Sequence, residues 1–314
     1  MIFSQLIIYI LAFVGIWIGA GIALNSVEKL SRSLKLSSFA VSFIILGFFT
    51  SVSELSVGIN SIVENDPEIY VGNLIGATIV IFMLIIPLLA ITGRKIVISK
   101  EFGGFSLIMS LVTIAAPVVL SIDGKVDKAD SVIAIALFVV LIICIQAKRG
   151  LFNKTSSLAK ISSVKAGREF LKIIVGLAII FIASRFVVDQ TIYFSELLNV
   201  SPFLISLLII GIGTNIPELS FVVRSIFMRS NQVAFGDYVG SASFNTFIFG
   251  FLTFWYGKSV YLTNSYLVSL SFLLVGLVAF YYFSRTKNSI SRMEGFALVA
   301  LYAIFLAVEV IIHS

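Results

Sequence analysis

The fold class that this sequence predicts is an all-α polytopic membrane protein of about ten transmembrane helices, built as two inverted five-helix repeats. Three observations lead there. The 314 residues are 59% hydrophobic and only 12% charged, about half the charged share of a soluble domain. Apolar runs alternate with basic punctuation. The chain also matches itself at a constant offset.

By hydropathy the spans fall near residues 2–24, 38–63, 70–92, 103–121, 129–147, 169–188, 201–228, 232–256, 261–283 and 293–312. The first run resembles a secretion signal in position, but it lacks a basic leader and is long enough to cross a bilayer. With the N-terminus outside, 18 of the 22 cations fall on the cytoplasmic side. They follow span one (Lys29, Arg32, Lys35), span three (Arg94, Lys95, Lys100), span five (seven from Lys148 to Lys172), span seven (Arg224, Arg229) and span nine (Arg285, Lys287, Arg292). Only Lys125, Lys128, Arg185 and Lys258 lie outside. The positive-inside rule then places both termini outside in a multi-pass cell-membrane protein. The net charge of +6 belongs to loops facing lipid headgroups, and no nucleic-acid partner is expected. The partners are the bilayer and small cations, with a monomer as the expected unit.

Residues 37–62, "SSFAVSFIILGFFTSVSELSVGINSI", align without a gap on 201–226, "SPFLISLLIIGIGTNIPELSFVVRSI", at an offset of 164. The pairs Gly47/Gly211, Thr50/Thr214, Glu54/Glu218, Leu55/Leu219 and Ser56/Ser220 are identical. The same offset carries "GNLIGATIVIF" at 72–82 onto "GDYVGSASFNT" at 236–246. Five spans per half is an odd number, so the second copy enters the membrane from the opposite face, the architecture of many secondary transporters. The expected division is a first repeat at 1–147 (α-repeat 37–82), a cytoplasmic basic linker at 148–168, and a second repeat at 169–314 (α-repeat 201–246).

Glu54 and Glu218 are the acidic residues near the centres of spans; Asp237 and Glu309 are expected near span ends, within reach of water or headgroups. An intramembrane carboxylate costs about 3 kcal/mol on insertion scales. Two facing each other at the midplane call for one Ca²⁺, two Na⁺ or two protons. Thr50 and Ser51 precede Glu54 by a helical turn, as Thr214 and Asn215 precede Glu218. Gly211, Gly213 and Pro217 are expected to interrupt the helix and free carbonyls. The donors are all oxygen, as Ca²⁺ and Na⁺ prefer. A lone histidine at the chain end, His313, and a lone apolar-run cysteine, Cys144, offer no zinc or copper site. Gly72, Gly76, Gly236 and Gly240 read as close helix contacts.

These residues resemble the cation/Ca²⁺ exchanger superfamily, and within it the prokaryotic sodium/calcium exchangers. The resemblance rests on "GIGTNIPE" at 211–218 followed by "GDYVGS" at 236–241. It implies that Glu54 and Glu218 are shared Ca²⁺ and Na⁺ ligands and that Thr50 and Thr214 add mainly backbone carbonyls. It further implies that Ser51, Asn215 and Ser241 help to hold Na⁺, with carbonyls near Gly47 and Gly211, while spans one and six slide across the rest. Asn245 stands where an acid is common in such exchangers. The first repeat departs from the pattern. It reads "GFFTSVSE" at 47–54, without the second glycine or the proline, so a less broken helix is expected there. Ala77 and Ile81 replace polar positions, which implies fewer sodium sites.

The functional expectation is Na⁺/Ca²⁺ antiport by alternating access. No resident cofactor is expected, and the ions are cargo. A Ca²⁺/H⁺ antiporter and a non-transporting cation-binding protein of the same fold are the alternatives. An enzyme is not expected, because the spans carry neither a paired aspartate nor a catalytic histidine.

Overall fold

The computed structural model describes residues 2–31, 41–93, 95–97, 104–149, 163–216, 218–219, 231–262, 266–286 and 289–313. All ten expected spans appear in it as helix. Six helices are long and apolar enough to cross a bilayer, and a seventh crossing is the bent pair Phe43–Thr50 and Val52–Val63. Span four, Phe105–Leu120, and the described part of span seven, Pro202–Thr214, are shorter apolar helices. Span eight, Asn231–Tyr256, has 26 residues, about 39 Å at the α-helical rise. Its polar residues Ser241, Ser243, Asn245 and Thr246 are buried inside the protein rather than set against lipid.

Spans one and six are longer than hydropathy alone predicts. Span one is Ile2–Ser31, and span six is Ser163–Leu198, 36 residues, about 54 Å against a hydrocarbon core of about 30 Å. Asp189, Gln190 and Glu196 end the apolar run of span six without ending its helix. The two helices lie antiparallel and zip along their length. Tyr9 Oη lies 2.8 Å from Thr191 Oγ1, Gly19 and Gly176 meet backbone to backbone, and Lys29 Nζ approaches Glu169 at 3.6 Å. Lipid tails are as apolar as leucine side chains, so close approach at small residues does the work that the hydrophobic effect does in water.

Two short strand pairs carry the repeat beyond the helices. Strand β1 (Lys95–Val97), after span three, pairs antiparallel with β4 (Ser289–Ser291), after span nine. Strand β2 (Lys125–Val126), before span five, pairs with β3 (Val260–Tyr261), after span eight. The loops after spans three and nine therefore share one side, and those after spans four and eight share another. Alternation over ten crossings requires both. The registers are symmetric: Ile96 faces Ile290, and adding or subtracting 164 turns that pair into Val260 facing Val126. Span five, Lys128–Arg149, maps at the same offset onto span ten, Arg292–His313. The sequence match extends only to residue 82, but the structural repeat runs gap-free to the end of each half.

The core lies around spans three and eight. From Ile69 to Met83 every residue is buried. The outward faces of spans one, five, six, nine and ten carry exposed Ile7, Leu11, Val132, Val139, Ile182, Val278 and Ile304. Such a surface would drive aggregation in water, whereas in a bilayer it is the lipid face.

Candidate functional site

The site forms where spans two and seven break. Span two runs as a π-helical segment Val41–Leu46, an α-turn Gly47–Thr50, a break at Ser51, and a helix Val52–Val63. Span seven repeats this with π-helix Ser206–Ile210, α-turn Gly211–Thr214 and a break at Asn215. Ser51 has φ −77° and ψ 3°, and Asn215 has φ −89° and ψ 10°. The first-repeat helix was expected to be less broken, because it lacks Gly213 and Pro217 equivalents. It is nonetheless bent by 41° at Ser51. The preceding π-helical turn, present in both copies, misaligns the ladder without help from proline. Pro217 lies outside the described residues.

Glycines hold the broken helices against spans three and eight in a crossed, two-fold pattern. A Cβ on Gly47 would come within 2.7 Å of the Gly240 carbonyl carbon, and one on Gly211 within 2.7 Å of that of Gly76. A Cβ on Gly240 would strike the Phe43 carbonyl oxygen, and one on Gly76 that of Leu207. Each contact is the other's image at the offset of 164. Gly213 serves differently from the expected helix-breaking role. The Phe13 ring of span one occupies the space its Cβ would need, so span one presses directly on the breakpoint.

All the expected site side chains lie at zero exposure: Thr50, Ser51, Glu54, Thr214, Asn215, Glu218, Ser241 and Asn245. Gly47 and Gly211 are buried behind them. The Thr50 hydroxyl donates to the Gly47 carbonyl at 3.2 Å and Ser51 Oγ donates to the same oxygen at 2.9 Å. Thr214 Oγ1 donates to the Ile210 carbonyl at 3.0 Å, and Asn215 Nδ2 to the Gly211 carbonyl at 2.7 Å. With these protons directed to backbone, the side-chain oxygens keep lone pairs of the kind cation ligation needs. The Gly47 and Gly211 carbonyls are correspondingly engaged rather than free.

Across the repeats, Ser51 Oγ lies 3.1 Å from Ser241 Oγ, and Ser241 Oγ donates to Glu218 Oε1 at 3.2 Å. The counterpart of Ser241 is Ala77, so no mirror-image contact can reach Asn215. Its Oδ1 is buried without a hydrogen-bond partner, as are Glu54 Oε1 and both amide atoms of Asn245. Buried polar atoms without a partner are costly, and the Asn215, Glu54 and Asn245 oxygens among them are acceptors that a cation would satisfy. The sequence reading missed two buried participants. Ser53 Oγ lies 3.0 Å from Glu54 Oε2 and 3.2 Å from the Thr214 carbonyl, and Asn73 Oδ1 lies 3.3 Å from Thr214 Oγ1. Asn73 carried a signal, being the counterpart of Asp237 in "GNLIG" and "GDYVG"; Ser53 carried only its place beside Glu54. The Asp237 side chain lies outside the described residues. Glu309, expected near water or headgroups, is instead 1% exposed and accepts from Ser269 Oγ at 2.5 Å. Packing of span nine against span ten seals it in.

The sodium/calcium exchanger protein family matches residues 4–146 and 169–310, nearly all of both halves. The chain belongs to this family. Among curated proteins, the inner membrane protein YrbG of Escherichia coli is 26% identical over 230 residues, 70% of this chain and 70% of that one. The sodium/calcium exchanger MaX1 of Methanosarcina acetivorans is 28% identical over 147 residues, 45% of this chain and 40% of that one. Among solved structures, the sodium-calcium exchanger NCX_Mj soaked with Na⁺ and Sr²⁺ superposes with a TM-score of 0.69 at 21% identity, covering 98% of this chain and 99% of that one. That likeness establishes the ten-helix exchanger fold. Among the described residues no three His, Cys, Asp or Glu side chains cluster as a metal centre. What the chain offers is two carboxylates amid neutral oxygens, as suits hard cations.

Proposed function

We propose that this exchanger moves Ca²⁺ against Na⁺ across the cell membrane by alternating access. The observation that carries the reading is a pair of repeat-related glutamates, Glu54 and Glu218, at zero exposure, each in hydrogen-bond contact with buried serines that also touch the other half. Their two negative charges balance one Ca²⁺ or two Na⁺, so a two-for-one electroneutral exchange follows from charge alone. In this reading Thr50, Ser51, Thr214, Asn215, Ser241 and Asn245 add the neutral ligands, with the Gly47 and Gly211 backbones beside them. Ala77 and Ile81 narrow the room for further sodium ions. The cations are cargo and no resident cofactor takes part. The same reading treats the chain as a monomer in the bilayer, with both termini outside and a linker at 148–168 between halves at 1–147 and 169–314.

The test is radioactive-calcium uptake into proteoliposomes of the purified protein under an imposed Na⁺ gradient or an imposed pH gradient. Uptake driven by Na⁺ and lost in Glu54→Gln and Glu218→Gln is the expected result. Uptake driven by the pH gradient alone would make the proton the counter-ion. Uptake under neither gradient would overturn calcium antiport.

A further inference from the structure

Ser53 stands where the second repeat has Pro217, and only the first repeat can offer a hydroxyl there. Its side chain is 1% exposed. Three acceptors surround the hydroxyl: Glu54 Oε2 at 3.0 Å, the Thr50 carbonyl at 3.1 Å and the Thr214 carbonyl at 3.2 Å. A hydroxyl has one proton, so it can satisfy one of these three fully at any moment. Four oxygens from both repeats thus share a single hydrogen, and Glu54 Oε1 beside them has no hydrogen-bond partner. A cation at their centre would satisfy all of them. Oxygens that share Ca²⁺ at about 2.4 Å lie about 3 Å apart, and the Ser53 oxygen lies 3.0–3.2 Å from each of its three neighbours.

Building on the site assigned above, we infer that Ser53 is an additional cation ligand, which turns its oxygen toward Ca²⁺ when the ion enters and joins the two repeats through it. The first repeat has lost ligands at Ala77 and Ile81 and gained one at Ser53. The gain lies between the two threonine carbonyls and Glu54, so it favours the ion that takes more oxygens. Ca²⁺ takes six to eight, so Ser53 sets the preference for calcium over sodium.

The experiment uses Na⁺-driven Ca²⁺ uptake by the reconstituted full chain, with Ser53→Ala, Ser53→Thr, Ser53→Cys and Glu54→Gln compared with wild type. Ser53→Ala is expected to raise the half-saturating Ca²⁺ concentration about tenfold with a smaller change for Na⁺, and Ser53→Thr, which keeps the hydroxyl, to stay near wild type. Ser53→Cys replaces a hard oxygen with a soft sulfur, so Cd²⁺ should block it at lower concentration than it blocks wild type or Ser53→Ala. A purely structural serine would give no such gain in Cd²⁺ sensitivity, and the cysteine variant carries the test if the alanine variant does not fold. Unchanged Ca²⁺ affinity in Ser53→Ala, or Cd²⁺ sensitivity in Ser53→Cys equal to that of Ser53→Ala, overturns the inference while loss of transport in Glu54→Gln upholds the site. Normal transport by Glu54→Gln would overturn the site itself, and Ser53 with it.

Discussion

Spans three and eight occupy equivalent places in the two repeats, and they have diverged in opposite directions. Each seats a broken helix on a glycine at close backbone contact, Gly76 against Leu207 and Gly240 against Phe43. Span eight carries Ser241, whose hydroxyl donates to Glu218 Oε1, and buried Asn245, and continues as regular helix to Tyr256. Span three carries Ala77 and Ile81 at the equivalent positions and passes into a π-helical stretch, Ile81–Ile85, inside the apolar core. The contrast teaches that backbone symmetry and chemical symmetry are kept by different forces. A glycine packed on a carbonyl cannot change without moving two helices. A ligand position can lose its oxygen once its counterpart keeps one, because the cation needs enough oxygens rather than a matched set.

The strongest way to break the comparison is at the carboxylates, where symmetry of charge persists. Glu54→Gln and Glu218→Gln should each lower Na⁺-driven calcium uptake by more than about a hundredfold; if one retained transport, the two glutamates would be unequal partners. Next come the diverged positions. Asn245→Ile should make span eight resemble span three and raise the half-saturating Na⁺ concentration about tenfold. The converse change, Ile81→Asn, buries an amide and should cost about 1–3 kcal/mol of stability. Added Na⁺ should recover part of that cost in a thermal unfolding assay, and the absence of a Na⁺-dependent shift would show that position 81 does not face the ion.

The glycine contacts test the symmetric side. Gly47→Ala and Gly211→Ala meet backbone at the same 2.7 Å, so both should lower stability by a similar amount, about 1–3 kcal/mol from overpacking. Unequal losses in thermal unfolding would show that the two contacts differ in rigidity. The smallest effect lies in the turn between spans two and three. Burial, then Glu196 and Glu64, push the Asp66 carboxyl above its ordinary value of 3.8. Its contribution is favourable below that value and is lost as pH rises through the raised one. Asp66→Asn should therefore raise the unfolding temperature slightly at neutral pH and leave it unchanged in acid.

Much of this was legible in the sequence, and particular residues show why. The ten spans follow from apolar runs, since a bilayer allows no other backbone solution. Their alternation follows from the placement of lysine and arginine, and the inverted repeat from the Gly, Thr and Glu pairs. Span six was under-read at 188 because Asp189 and Gln190 look like an end, whereas a neighbouring helix of matching length carries the turn of helix onward. Glu309 was misjudged because distance from a span end does not report what packs over it. The break at Ser51 was underestimated because a π-helical turn has no proline or glycine signature.

The sequence by itself determined the membrane class, the number of crossings, the repeat and the two intramembrane carboxylates, because each leaves a mark in composition or spacing. Only the tertiary structure decided which oxygens meet. It set Ser51 against Ser241, and Ser53 between Glu54 and Thr214, and it left the Asn215 oxygen buried without a hydrogen-bond partner. Those contacts depend on crossings between helices more than a hundred residues apart; the glycine spacing marks where a close approach occurs, but not which helix is met or in what register.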